Sequence, residues 1–162
     1  MATRYRIRDA TDGDLATLVD FTIREARDSA DLALDVDAVE RGVRAGLGPS
    51  AQARYWVAEC PEGQVVASTS VVTEWSNFRG SHYWWIQSLY VRPEHRGTGL
   101  VDTILHFLAE ASATAGAVDL RLYAERTNTR ALAAYRRCGF TIAPYTIMTR
   151  QHPPSPRDDN HP

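Results

Sequence analysis

Residues 83–91 read YWWIQSLYV, and this run constrains the fold more than any other part of the chain. Successive side chains of a strand point to opposite faces, so a strand with one wet face alternates apolar and polar residues. This one is apolar or aromatic at nearly every position, which requires cover on both faces. A sheet buried on both sides needs a layer of helices above it and another below. The 162 residues of the chain are enough for one domain with a real core.

The rest of the pattern supplies those layers. Residues 5–9 alternate Arg and apolar residues, the period of a strand. Thr11 and Asp12 offer N-caps to a helix with an apolar stripe of Leu15, Leu18, Val19 and Ile23. Residues 30–34 read as a loop, and Asp35 or Asp37 caps a second short helix that ends near 46–49. Two strands follow at 54–59 and 65–74, joined by a tight turn at 61–64. Residues 75–82 and 92–98 read as loops. A helix over 99–115 puts Leu100, Ile104, Leu105, Leu108 and Ala111 on one face and stops at Gly116. A strand at 119–123, a helix at 129–137 stopped at Gly139, and a last strand at 145–150 complete the series.

The order β-α-α-β-β-β-α-β-α-β predicts an α/β fold of three layers, with mixed strands between helices. The unit from 83 to 123 is a crossover, so its two strands run parallel. One domain is expected over 1–150. The Pro-rich, polar tail at 151–162 is expected to be disordered.

Composition excludes several functions. Net charge is −2, where a nucleic-acid-binding domain would be basic. All 18 basic residues are Arg, so no mechanism can use a catalytic Lys. The five histidines, at 82, 95, 106, 152 and 161, have no ligand spacing, and no metal is expected. Cys60 and Cys138 are expected to be reduced and buried. Residues 1–10 hold no apolar run and no stretch reaches the length of a membrane span, so a cytoplasmic location is expected.

Two segments carry chemistry. The first is the loop Arg92-Pro93-Glu94-His95-Arg96-Gly97-Thr98-Gly99-Leu100 between the buried strand and a helix. Such a loop turns several backbone N–H groups toward one spot, and the helix N-terminus adds partial positive charge. That suits a pyrophosphate, with Arg96 supplying formal charge and Gly97 and Gly99 permitting close approach. It lacks the Gly-Lys-Ser/Thr element of a P-loop. Taken alone, it is a weak signal, since a Gly-rich turn can merely start a helix. The second segment begins at Asn128, which heads a helix carrying Ala131 and Tyr135 and running into Gly139-Phe140. Asn128, Ala131, Leu132 and Tyr135 share a helical face and could touch one elongated ligand, or be simply a cap and core residues.

Together the two segments resemble the GNAT superfamily of N-acetyltransferases. Its members share Arg/Gln-x-x-Gly-x-Gly/Ala, then Asn-x-x-Ala and a Tyr before Gly-Phe. Here these read Arg96-Gly97-Thr98-Gly99-Leu100-Val101, Asn128-Thr129-Arg130-Ala131, Tyr135 and Gly139-Phe140, with Val101 departing from the family's small residue. The resemblance implies a three-layer αβα fold whose mixed, largely antiparallel sheet is splayed between two parallel strands. It also implies acetyl-CoA as co-substrate, with its pantetheine arm between the strands at 83–91 and 119–123. Leu89, Tyr90 and Val91 would then line the arm, residues Arg96, Gly97, Thr98, Gly99 and Leu100 would hold the pyrophosphate, and Asn128, Ala131 and Tyr135 would complete the cofactor site. The Leu89 N–H would polarise the thioester carbonyl, and Tyr135 would act as general acid. The reaction implied is acetyl transfer to a primary amine of a small molecule, and a homodimer is an expectation the resemblance alone carries. A CoA-binding accessory or sensor protein and a protein Lys or N-terminal acetyltransferase are the alternatives.

The general base is less legible. Where many family members carry Glu on the strand before the loop, this chain has Gln87-Ser88. Glu74 is the first candidate, acting through water, and Glu25 on the first helix the second. Trp75, Phe78, Trp84 and Gln87 are the candidates for the acceptor pocket. Trp84 and Trp85 are adjacent on a strand, so one of them faces away from the other.

Overall fold

The structure is a computed structural model that describes residues 5–49 and 52–152. The elements are β1 (Arg6–Asp9), α1 (Leu15–Ala30), α2 (Val36–Leu47), β2 (Arg54–Glu59), β3 (Val65–Ser76), β4 (Ser81–Val91), α3 (Leu100–Thr114), β5 (Leu120–Leu122) and α4 (Thr129–Arg137). The five strands form one sheet in sequence order. All neighbours are antiparallel except β4 and β5, which run parallel through the α3 crossover.

Two of the helices begin at a side chain that satisfies an orphan N–H group, α2 at Asp35 and α4 at Asn128. Before α1, the Asp14 carboxylate accepts from the Thr11 N–H at 2.8 Å and pairs with Arg8 at 2.7 Å, which ties the helix start to β1. Of the two carboxylates considered for α2, Asp35 is the cap, accepting from the Asp37 N–H at 3.0 Å. The far end of α2 lies tight against β2. A Cβ on Gly46 would meet the Tyr55 ring at 2.5 Å, so only glycine lets the helix pack there.

The sheet is covered on both faces. Leu18, Val19, Val43 and Val57 form the core on the α1–α2 side. Trp56, Trp84, Ile86 and Val91 meet Leu100, Ile104, Leu105 and Leu108 of α3 on the other. Burying one such aliphatic side chain is worth roughly 1.5–3 kcal/mol, so the α3 stripe holds the central strands firmly.

Three expectations need correction. The loop at 75–82 is instead a tight hairpin. β3 continues to Ser76 and β4 begins at Ser81, with Trp75 opposite His82 and their rings 4.9 Å apart. Gly80, at φ +62°, closes the turn by donating its N–H to the Ser76 carbonyl at 2.8 Å. The loop expected to start at residue 30 starts later, because α1 runs through Ala30 and ends on Asp31 in the left-handed region. The last strand, at 145–150, does not form; Ile142, Tyr145, Ile147 and Met148 are exposed instead. β-branched and aromatic residues favour a strand only when a neighbour completes the ladder, and none among the described residues does so here. Both cysteines are free, Cys60 buried and Cys138 half-buried. Most of the Pro-rich tail, residues 153–162, lies outside the described residues.

Candidate active site

The site begins where β4 loses one neighbour. Its pairing with β5 covers only Trp84↔Leu120, Trp85↔Arg121 and Ile86↔Leu122. On the other edge, β3 pairs Val71 with Ile86 and Ser70 with Ser88, leaving Gln87 as an extra, bulged residue. A bulge bends the strand and increases its twist. From Gln87 onward β4 keeps β3 on one side and has no strand on the other.

The bulge also reverses which residues face which layer. Before it, Trp84 and Ile86 sit in the α3 core; after it, Leu89 and Val91 do. Tyr90 correspondingly turns to α1, its ring 4.8 Å from Phe21. The Leu89 and Val91 amides therefore point into the gap that β5 leaves.

Beyond the strand, a single 3-10 turn at Pro93–His95 leads to Gly97 (φ +75°) and Gly99 (φ +83°) and then into α3. These angles suit glycine alone, and a Cβ on either would point into open space. Among the described residues, the amide N–H groups of 97–101 have no acceptor. Five unpaired amides at a helix N-terminus fit a phosphate group. The Val101 side chain packs against the α3 core, so its added bulk does not fill the loop. Arg96 already has partners. Its Nε donates to the Val91 carbonyl at 2.9 Å and its Nη2 to Asp28 at 2.7 Å. The guanidinium also lies over the Tyr90 ring.

On the strand side of the gap, the Glu25 carboxylate accepts the Leu89 N–H at 3.0 Å. Burial pushes the Glu25 carboxyl above the usual carboxylate range, and the Leu89 hydrogen bond offsets only part of this. Burial likewise raises the Tyr135 phenol, and the nearby Glu25 charge adds to the shift. Tyr55 is raised by burial and by Glu25, while the Ser70 hydroxyl opposes. Ser70 in turn meets Ser88 Oγ at 2.7 Å. The Glu25 charge thus acts on both phenols. Asn128 uses its Oδ1 to accept the Ala131 N–H at 3.0 Å, capping α4. Tyr135 packs on the same core as Leu89, its ring edge toward Phe140.

The structure brings together Leu89, Val91 and loop 96–101, with Tyr135 against the same core. It does not bring Glu74 there. Glu74 pairs with Tyr83 in the hairpin and accepts from Trp85 Nε1. Six residues of strand then separate it from the level of Leu89, about 20 Å at the usual rise. Trp84 is also out of reach of a ligand, 7% exposed and stacked on Trp56. Its neighbour Trp85 takes the outward role, stacked on Tyr123 at 4.6 Å. Arg121 lies 3.4 Å over the Tyr83 ring beside this pair. Of the other acceptor candidates, Trp75 is half exposed, Phe78 is 100% exposed at the hairpin tip, and Gln87 is exposed on the bulge. Sequence reasoning missed Trp85, Arg121 and Tyr123. The adjacent tryptophans were the signal, and only the face assignment was lacking. Among the described residues no cluster of His, Cys, Asp or Glu could hold a metal, and no helix is long and apolar enough to cross a membrane.

Comparison with known proteins agrees with this geometry. The model of the acetyltransferase (GNAT) family matches residues 18–140. The chain is 30% identical, over 82% of its length and 82% of the relative's, to thialysine N-epsilon-acetyltransferase of Bos taurus. It superposes with TM-score 0.85 and 28% identity on a possible acetyltransferase of Clostridium difficile 630, covering 93% of this chain and 99% of that one. A predicted acetyltransferase of Clostridium acetobutylicum, solved with acetyl-CoA, shares the fold at TM-score 0.73 and 18% identity, covering 90% of this chain and 96% of that one.

Proposed function

The chain belongs to the GNAT acetyltransferase family, and on that premise we propose that it transfers the acetyl group of acetyl-CoA to a primary amine of a small molecule by direct attack. Bound here, acetyl-CoA supplies the acetyl group already activated as a thioester. The observation that carries the reading is the half-open strand. After Gln87 the outer edge of β4 has no partner strand, and it leads straight into a loop of unpaired amides. An elongated ligand with amides along its arm and a diphosphate at one end matches that order of groups. On this reading Leu89 and Val91 pair with the arm beside Tyr90, and Asn128 and Ala131 line it from α4. The amides at 97–101, with Arg96, hold the diphosphate.

The chemistry follows from two groups. The Leu89 N–H meets the thioester carbonyl oxygen and stabilises the charge that grows there as the amine attacks. Tyr135, held above the ordinary phenol value, remains protonated at neutral pH and donates to the departing sulfur. Glu74, the base offered by the sequence, sits in the hairpin and is remote from both groups.

The thialysine relative supports a small primary amine as acceptor. Gln87, Trp75 and Phe78, with the Trp85–Tyr123 pair, are the groups free to meet it. Net charge −2 speaks for this partner over nucleic acid. A cytoplasmic setting and a homodimer complete the proposal. The test is to mix the protein with acetyl-CoA and thialysine and follow free thiol. Thiol release that needs both compounds supports the proposal. No release with thialysine or with a broad panel of primary amines would overturn it.

A further inference from the structure

This inference rests on the acetyl-transfer reading above and assigns the group that reading leaves open. Attack by an amine needs an acceptor for its proton. Gln87 and Ser88, on β4 before the loop, ionise at no useful pH, and Glu74 is remote. Among the described residues, one carboxylate does bind the open edge of β4: Glu25, reaching from α1 to the Leu89 N–H at 3.0 Å.

That contact stands where the thioester carbonyl oxygen would sit, since both claim the same N–H. We infer that Glu25 yields the Leu89 N–H to the carbonyl when acetyl-CoA binds and then takes the proton of the attacking amine. The displaced carboxylate stays on α1, which packs beside this stretch of β4, within reach of the group it has just released. The site is partly desolvated, and burial strengthens a carboxylate as a base while it is ionised. Two groups then divide the work, a carboxylate as base and a phenol as acid.

The step balances as follows. The amine nitrogen bonds to the acetyl carbon as one N–H proton passes to the Glu25 carboxylate. The C–S bond breaks with its electron pair going to sulfur, which takes the Tyr135 proton. The Glu25 proton then returns through solvent to the Tyr135 phenolate, and the net change is one proton moved from nitrogen to sulfur.

The groups facing Glu25 set its titration. Tyr55 on β2 and Tyr135 on α4 are the phenols that feel its charge. One turn on along α1, Asp28 is paired with Arg96; one turn back, Arg92 lies over the Phe21 ring. With the carboxyl raised, the active ionised form is lost as pH falls, from above the usual Glu range. In kcat/KM the acidic limb should therefore report two protonations in the native protein, of Glu25 and of the substrate amine. In Glu25→Gln it should report one, of the amine.

The experiment measures acetyl-CoA affinity by calorimetry and thialysine turnover by thiol release, for the native protein, Glu25→Gln and Glu25→Asp. Glu25→Gln should bind acetyl-CoA no more weakly than the native protein, because a competitor for Leu89 is gone. Its kcat should fall about 10²–10⁴-fold. Glu25→Asp should recover part of the loss. Unchanged turnover in Glu25→Gln, a loss confined to KM, or weaker acetyl-CoA binding would overturn the assignment. So would an acidic limb that changes in Glu74→Gln and persists in Glu25→Gln. A native protein that binds acetyl-CoA yet releases no thiol with any amine would overturn the acetyl-transfer reading as a whole, a result distinct from a silent Glu25 variant.

Discussion

The two halves of β4 carry the same kind of sequence and do different work. From Ser81 to Ile86 the strand has a neighbour on each edge along most of its length, and its inward residues fill the α3 core. From Ser88 to Val91 it keeps only β3. The first half satisfies its backbone with other strands. The second leaves polar groups that the chain covers with its own side chains, Glu25 on the Leu89 N–H and Arg96 on the Val91 carbonyl. An unpaired buried backbone group is costly, so such covers are expected wherever a ligand is to replace them. The site is thus a section of ladder held open by the Gln87 bulge and by the early end of β5.

The comparison can be broken from either half. The largest effect belongs to the closed half. Trp84→Ala should cost about 3–5 kcal/mol of stability by leaving a cavity beside Trp56, read by denaturant unfolding. Next comes the open half, where Tyr135→Phe should lower kcat by about 10²-fold or more while leaving the unfolding midpoint close to native. A loss of folding in Tyr135→Phe comparable with Trp84→Ala would erase the distinction. Changes at the covers should be smaller. Asp28→Asn releases Arg96 from its ion pair and should tighten acetyl-CoA binding a few-fold, measured by calorimetry. The pair is partly exposed and therefore weak, so the change is modest.

The smallest expected effect concerns stability against pH. A carboxyl raised on folding favours the folded state below its unfolded value and loses that contribution as pH rises through its folded value. Glu25 is of this kind. Glu25→Gln should therefore melt at or above the native temperature near neutral pH, with the difference shrinking as pH falls below the usual Glu range. A Glu25→Gln variant that is clearly less stable at neutral pH would show the carboxylate to be a structural support instead.

Much of this was legible in the sequence because local signals agreed. The apolar run at 83–91 announced a two-sided sheet, and the Arg96–Val101 and Asn128–Tyr135 segments carried the resemblance to the family. What escaped was whatever depends on register. The side-chain period of a strand is two, so one bulged residue reverses the faces of all that follow. That is why Trp84, offered as a pocket residue, lies in the core while Trp85 faces out. Glu25 is 64 residues from Leu89 in the chain, and no local pattern links them. Residues 145–150 have the composition of a strand and lack a neighbour to pair with.

The central claim is that the open half of β4 and loop 96–101 form one acetyl-CoA site. The most direct test is calorimetric titration of acetyl-CoA into the native protein and into Arg96→Ala. The account predicts saturable binding at one site per chain, weakened about tenfold or more in the variant as a charged contact is lost. No binding to the native protein, or equal binding by both, would contradict it.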